Sequence, residues 1–360
     1  MRLLCSFRPF YQIAYSVLMV PEFQKLLPSS YPRLRKYMKS LPKEQQVSYL
    51  THSFSYTELD TNPPASFNVG GGMGQVTEEQ KAAEKELLKV MFTELMHAPG
   101  PLIETCTQTF LQRFHETHIQ KNQFQPYHND SWFAIGILVQ WLVQQYKQDV
   151  GVFCPFFLNY FTLQPNQSVF LEPNIPHTYL SGECIEIMAC SDNVVRAGLT
   201  PKYRDVETLV TMLTYSMGIP ARTAGVNITK YVNVYAPPIQ FSEFMVLKIQ
   251  IPSGITKVTV PDIPVLQTDS ILLCIRGRGV IRILNQNQHN LTDGTLDCEP
   301  YTTSFFAGVS IYIPQGKVLE ISSSLVSNNN SDVLFFWAAT NKALNSSTTT
   351  QPNTDTRSRL

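Results

Sequence analysis

The hydrophobic period of this chain changes near residue 150, and that change restricts the fold more than any other feature. Before it, apolar residues recur at helical spacing; after it, they fall into short runs with a period of two. One stretch should bury stripes of helices and the other should bury faces of sheets, so the fold class is mixed α and β. In the first stretch, Thr77 and Gln80 form a capping-box pair that opens a helix over Glu78 to His97. Pro101 suits the first turn of a second helix, running to Ile119. Ser131 caps a third helix, whose Phe133, Ile137, Trp141 and Val143-to-Tyr146 positions are expected to form the buried stripe; Gly151 stops it. Shorter helices fill residues 8–55 and a loop covers 60–76, so the first 150 residues are expected to be all-helical.

Past Gly151, strands are expected at Phe157–Leu163, Ser168–Leu171 and Cys184–Ala189, and Asp205 caps a short helix over 205–216. From Phe244 the runs FMVLKIQI, KVTV, SILLCI, GVIRIL, TTSFFAGVSIYI, VLEIS and VLFFWAA are separated by turn residues, the pattern of a sandwich or jelly roll. The last twenty residues are polar and low in complexity and read as a disordered tail.

Charge excludes several function classes. Lys+Arg and Asp+Glu both number 28, so the chain has no global field to hold a nucleic acid or an anionic membrane. Its longest apolar run, Trp132 to Val143, is shorter than the roughly 20 residues of a membrane span. The 7 cysteines are odd in number and lack a C-x-x-C, as in a cytoplasmic protein with reduced thiols.

Four motifs could carry chemistry. Gly70-Gly71-Gly72-Met73-Gly74 lacks the ending of a phosphate-binding loop and reads as an interhelical connection. His115-Glu116-Thr117-His118 imitates a zinc motif with the wrong spacing and reads as a solvated helix face. His177, in Pro176-His177-Thr178-Tyr179-Leu180, can serve as a metal ligand through a neutral imidazole or as a structural residue, and the residues alone leave both open. In ECIEIMACSDNVVRAGLTPK, Glu186 sits on an expected strand, Asp192-Asn193 opens a turn, and Arg196 and Lys202 flank a Gly-Leu-Thr-Pro loop. Cations and carboxylates at neighbouring strand ends suit a small anionic substrate, and equally an ordinary salt-bridged surface loop.

The segment from Asn159 to Tyr215, above all PHTYLSG, ECIEIMACSDN and VRAGLTPK, resembles the type I phosphomannose isomerases. The likeness extends more loosely to LLCSFRPF near the start and to VNVYAPPIQFSEFMVLKIQIP. It implies a helical domain (1–149), the C-terminal half of a catalytic cupin (150–235), a cupin-like jelly roll (236–340) and the tail (341–360). It also implies aldose–ketose interconversion of a sugar phosphate with one Zn2+ per full-length subunit. By resemblance His177 is a zinc ligand, Arg196 and Glu186 are catalytic, and Lys202 and Tyr179 bind substrate. Three further ligands belong to Q-x-H-P and K-P-E segments that do not occur in these 360 residues. The first cupin is therefore expected to be incomplete at its N-terminal side. A non-catalytic remnant acting as a binding or structural protein is the alternative.

Overall fold

The structure, a computed structural model, describes residues 1–51, 76–119, 131–191, 194–286, 300–323 and 332–344. Gly70–Gly74, Asp192, Asn193 and Cys298 lie outside these residues. The chain divides into two units: Met1–Pro165 with Val169–Glu183 and Asp192–Arg222, and Asn166–Ser168 with Cys184–Ser191 and Thr223–Leu360.

The first unit begins with a strand, β1 (Arg2–Phe7), which corrects the all-helical expectation. Leu3, Leu4, Cys5 and Phe7 are all fully buried. A short strand buried on both faces reads as a plain apolar run without alternation, so its period is invisible in the sequence. β1 is the middle strand of a three-stranded antiparallel sheet, between β2 (Leu158–Thr162) and β4 (His177–Ser181). It is bulged between Cys5 and Phe7, where Ser6 adopts φ 58°. Buried Asn159 repairs the bulge: its Nδ2 donates toward the carbonyls of Cys5, Ser6, Phe7 and Gly218 at 3.2, 3.1, 3.2 and 2.8 Å. Asn159→Leu should therefore cost about 1–3 kcal/mol by stranding buried carbonyls. Equilibrium denaturation measures this, and an unchanged midpoint would count against the repair role.

The helices of this unit are α1 (Phe10–Met19), α2 (Phe23–Leu26), α3 (Ser30–Ser40), α4 (Lys43–Thr51), α5 (Glu78–Met96), α6 (Gly100–Phe114), α7 (Ser131–Tyr146) and α8 (Val206–Met212). Two expected caps form: Thr77 Oγ1 accepts from the Gln80 amide at 3.2 Å, and Asp205 Oδ1 from the Thr208 amide at 3.0 Å. The stripe of α7 needs correcting. Ile135, Leu138, Val139 and Leu142 are buried, whereas Ile137 and Trp141 are 41% and 36% exposed. Because α7 is apolar nearly all round, its sequence does not select a face, and packing decides. Core aromatics converge on Phe23, whose ring lies 5.7, 5.4 and 5.8 Å from those of Phe153, Phe156 and Phe157.

Two short strands, β3 (Gln167–Val169) and β5 (Arg222–Ala224), pair with each other. The second unit is a two-sheet sandwich. β6 (Val226–Asn227), β7 (Val232–Tyr235), β8 (Met245–Ile251), β10 (Ser270–Arg276), β13 (Ser310–Ile313) and β15 (Val333–Ala339) form a six-stranded sheet in the order β13-β10-β15-β8-β7-β6. β9 (Lys257–Val258), β11 (Arg278–Asn285), β12 (Tyr301–Phe306) and β14 (Lys317–Ser323) form a four-stranded sheet in the order β12-β11-β14-β9. Inward residues alternate along β15, where Val333, Phe335, Trp337 and Ala339 are buried, and Phe335 meets Phe305 of the other sheet at 4.9 Å.

The start of the expected tail is also corrected. Ala343 is fully buried and its carbonyl accepts from the Gln267 amide at 2.8 Å, so the chain stays docked through residue 344. Residues 345–360 lie outside the described ones. Among the described residues, no helix is long and apolar enough to cross a membrane.

Candidate functional site

Arg196 and Lys202 stand on a loop without regular secondary structure, yet one held at many points. Asp149, following α7, accepts the Gly151 amide at 2.6 Å with Oδ1 and the Leu199 amide at 2.8 Å with the same atom; Oδ2 takes the Thr200 amide at 3.4 Å. One carboxylate thereby ties the end of the helical region to the centre of the Arg196–Lys202 turn by charge-assisted bonds. The two backbones touch. A Cβ on Gly198 would lie 2.8 Å from Gly151 Cα and 2.8 Å from Asp149 Oδ1. Leu199 adopts φ 54°, a left-handed conformation that a bulky residue keeps only when its surroundings enforce it. Two further bonds finish the turn: Arg204 Nη1 donates to the Ala197 carbonyl at 3.4 Å, and the Lys202 amide to Thr200 Oγ1 at 3.2 Å. Arg196 is half-buried and Lys202 exposed. Behind the loop, burial and then the Asp149 carboxylate push the Cys154 thiol up to about 12, so it stays protonated and inert.

His177 and Tyr179 stand on β4, both exposed, with ring centroids 6.0 Å apart. His177 Nδ1 lies 2.9 Å from the Ile175 carbonyl. A carbonyl only accepts, so Nδ1 carries a proton, and Nε2 is the ring nitrogen left to ligate a metal in the neutral imidazole. One imidazole does not make a metal centre. Among the described residues, no three His, Cys, Asp or Glu are grouped to hold a metal. Cys5 pairs with His177 in the β1–β4 register, and burial pushes its thiol up to about 12; even counted as a donor it would bring the set to two, where zinc sites use three or four protein ligands. The described donors therefore do not fit zinc.

Glu186 does not lie on a strand, contrary to expectation. Residues 183–190 have no strand partner, and Ile185 and Met188 are 41% and 59% exposed. An alternating apolar sequence becomes a strand only when a neighbour accepts its hydrogen bonds, and none does here. Thus the structure gathers His177 with Tyr179 on β4, and Arg196 with Lys202 on the pinned turn, while Glu186 falls in the other unit. His115 and Glu116 occupy an exposed π-helical turn, His115–Ile119, as expected of a solvated face. Asp149 escaped the sequence reading. Its one signal was an acidic residue two positions before the helix-ending Gly151.

The fold and site define a class: a helical domain joined to antiparallel β-structure, with a cationic turn pinned by Asp149 at the end of the helical region. Residues 71–158 match the family described as phosphomannose isomerase type I, helical insertion domain. Mannose-6-phosphate isomerase 2 of Arabidopsis thaliana is 49% identical over 145 residues, covering 40% of this chain and 32% of that protein. The Bos taurus mannose-6-phosphate isomerase is 32% identical over 283 residues, covering 76% of this chain and 54% of that protein. A Salmonella typhimurium mannose 6-phosphate isomerase, solved with fructose 6-phosphate and zinc, superposes with a TM-score of 0.56 at 17% identity, covering 94% of this chain and 63% of that one. The chain spans about half the length of its mammalian relatives and about a third of the Arabidopsis one. It belongs to the type I phosphomannose isomerase family.

Proposed function

We propose that this chain binds mannose 6-phosphate and fructose 6-phosphate, and that their interconversion, a cytoplasmic step feeding GDP-mannose synthesis, is the reaction its site residues serve. The observation that carries this reading is the Asp149-pinned turn, which holds Arg196 and Lys202 on fixed backbone. Cations whose backbone is ordered in advance bind a phosphate dianion with less entropy left to lose.

Moving hydrogen between C1 and C2 of the sugar passes through an enediol(ate). In this reading Arg196 and Lys202 divide the phosphate and the enediolate oxygens between them, by charge-assisted bonds in the ground state and stronger ones as charge develops. By the family resemblance Glu186 is the candidate base for the proton next to the carbonyl. Tyr179 lines the sugar. The Salmonella relative carries zinc. His177 would supply one ligand where protein zinc sites use three or four.

The same donor count favours a second reading, in which this chain binds the sugar phosphates without turning them over. Isothermal titration of the purified 360-residue protein with mannose 6-phosphate, beside zinc analysis and a coupled assay for fructose 6-phosphate, separates the two. Arg196→Ala and Lys202→Ala should each weaken binding by about tenfold. Zinc below one per chain with negligible turnover supports binding alone, while stoichiometric zinc with turnover supports the isomerase. Affinity that survives both substitutions would sink the assignment.

A further inference from the structure

The second unit holds a cavity of about 500 Å3 between the ends of β11, β12, β13 and β14. That volume suits a small organic ligand. Two tyrosines stand at it on sheet-edge strands, Tyr301 on β12 and Tyr312 on β13, with 66% and 59% of their surface exposed. Next to Tyr312, the Asp269 carboxylate raises the phenol above its ordinary range and accepts the Gln315 amide at 2.9 Å, which anchors the adjoining turn. Asn285, Thr303 and Ser310 add neutral donors and acceptors. Lys317, bonded through Nζ to Asn285 Oδ1, is the sole charged side chain among the described residues of the lining.

We infer that this cavity is a second ligand site, separate from the Arg196 turn, for a monosaccharide carrying one anionic substituent. A pyranose has a C–H face and a hydroxyl rim. The tyrosine rings match the face with apolar, weakly negative surface, and the amide and hydroxyls match the rim. A single cation matches a single phosphate or carboxylate, and among the described residues of the lining there is no carboxylate to repel it. The site rests on residues of the second unit alone, so it stands whether or not the Arg196 turn binds sugar phosphate.

The test uses the full chain carrying Arg196→Ala together with Lys202→Ala, so that both cations of the turn are gone, with mannose 6-phosphate, mannose, inorganic phosphate and adenosine monophosphate as separate probes. Saturation-transfer NMR should show tyrosine-to-sugar transfer with mannose 6-phosphate at millimolar concentration. Combining Tyr301→Ala with Tyr312→Ala should weaken binding by about tenfold, with circular dichroism unchanged because both rings are exposed. Lys317→Met should reduce mannose 6-phosphate to the affinity of mannose. Inorganic phosphate or adenosine monophosphate binding as tightly as the sugar phosphate would overturn the proposal. So would no binding, or binding indifferent to the tyrosines.

Discussion

Asp149→Ala is expected to remove most sugar-phosphate affinity although Asp149 need touch no ligand. The carboxylate holds three amides across two backbone segments. Without it those groups lose a charged acceptor in a half-buried setting, at a cost of about 2–4 kcal/mol of folding stability. The cationic turn loses its anchor at the same stroke. Asp149→Asn, which keeps one carbonyl oxygen, should fall between wild type and alanine on both scales. Gly198→Ala approaches the same point from the other side, since its methyl would collide with the Gly151 backbone, which has no free rotor to yield. Calorimetric unfolding with titration of mannose 6-phosphate measures both effects. An Asp149→Ala protein with wild-type stability and affinity would show that the turn is held by something else.

Phe23→Ala should have the largest effect on folding. Phe23 is fully buried and meets three aromatic rings edge-on within 6 Å. Its removal forfeits the transfer energy and the edge-to-face contacts and leaves a cavity between stiff rings that cannot collapse to fill it. The expected loss is about 3–5 kcal/mol, a large share of a domain's margin. Phe23→Leu should recover more than half of it. Denaturant titration followed by near-ultraviolet circular dichroism reads the first unit directly. A loss below about 1 kcal/mol would mean the cluster is more plastic than its geometry indicates.

Much of this architecture can be read from the sequence, for physical reasons visible at single residues. Thr77 and Asp205 announce their helices because capping is local chemistry, complete within four residues. The strands of the sandwich announce themselves because one face of each is buried and the other wet, as along β15. The reading fails where structure depends on distant partners. β1 shows no alternation because both its faces are covered, and α7 carries too much apolar surface to select one side. Glu186 has strand-like neighbours without a strand to pair with. The candidate residues His177 and Tyr179 share one strand, and Arg196 and Lys202 one turn, because each pair is close in sequence. Asp149 stays hidden because two of its three acceptor bonds reach Leu199 and Thr200, which come beside it only after folding.

The order of strands in the first sheet also bears on how the molecule is made. β1 forms from residues 2–7, yet its two neighbours are residues 158–162 and 177–181. On the ribosome this strand therefore emerges apolar and long before either of these neighbours, and waits for them while the intervening helices are synthesised. Early helical collapse can shelter it, since local helix contacts form faster than long-range strand pairing. Translation speed between the codons for β1 and those for β4 thus becomes a determinant of yield, and a chaperone that holds short apolar segments should matter more to this protein than one that refolds finished domains.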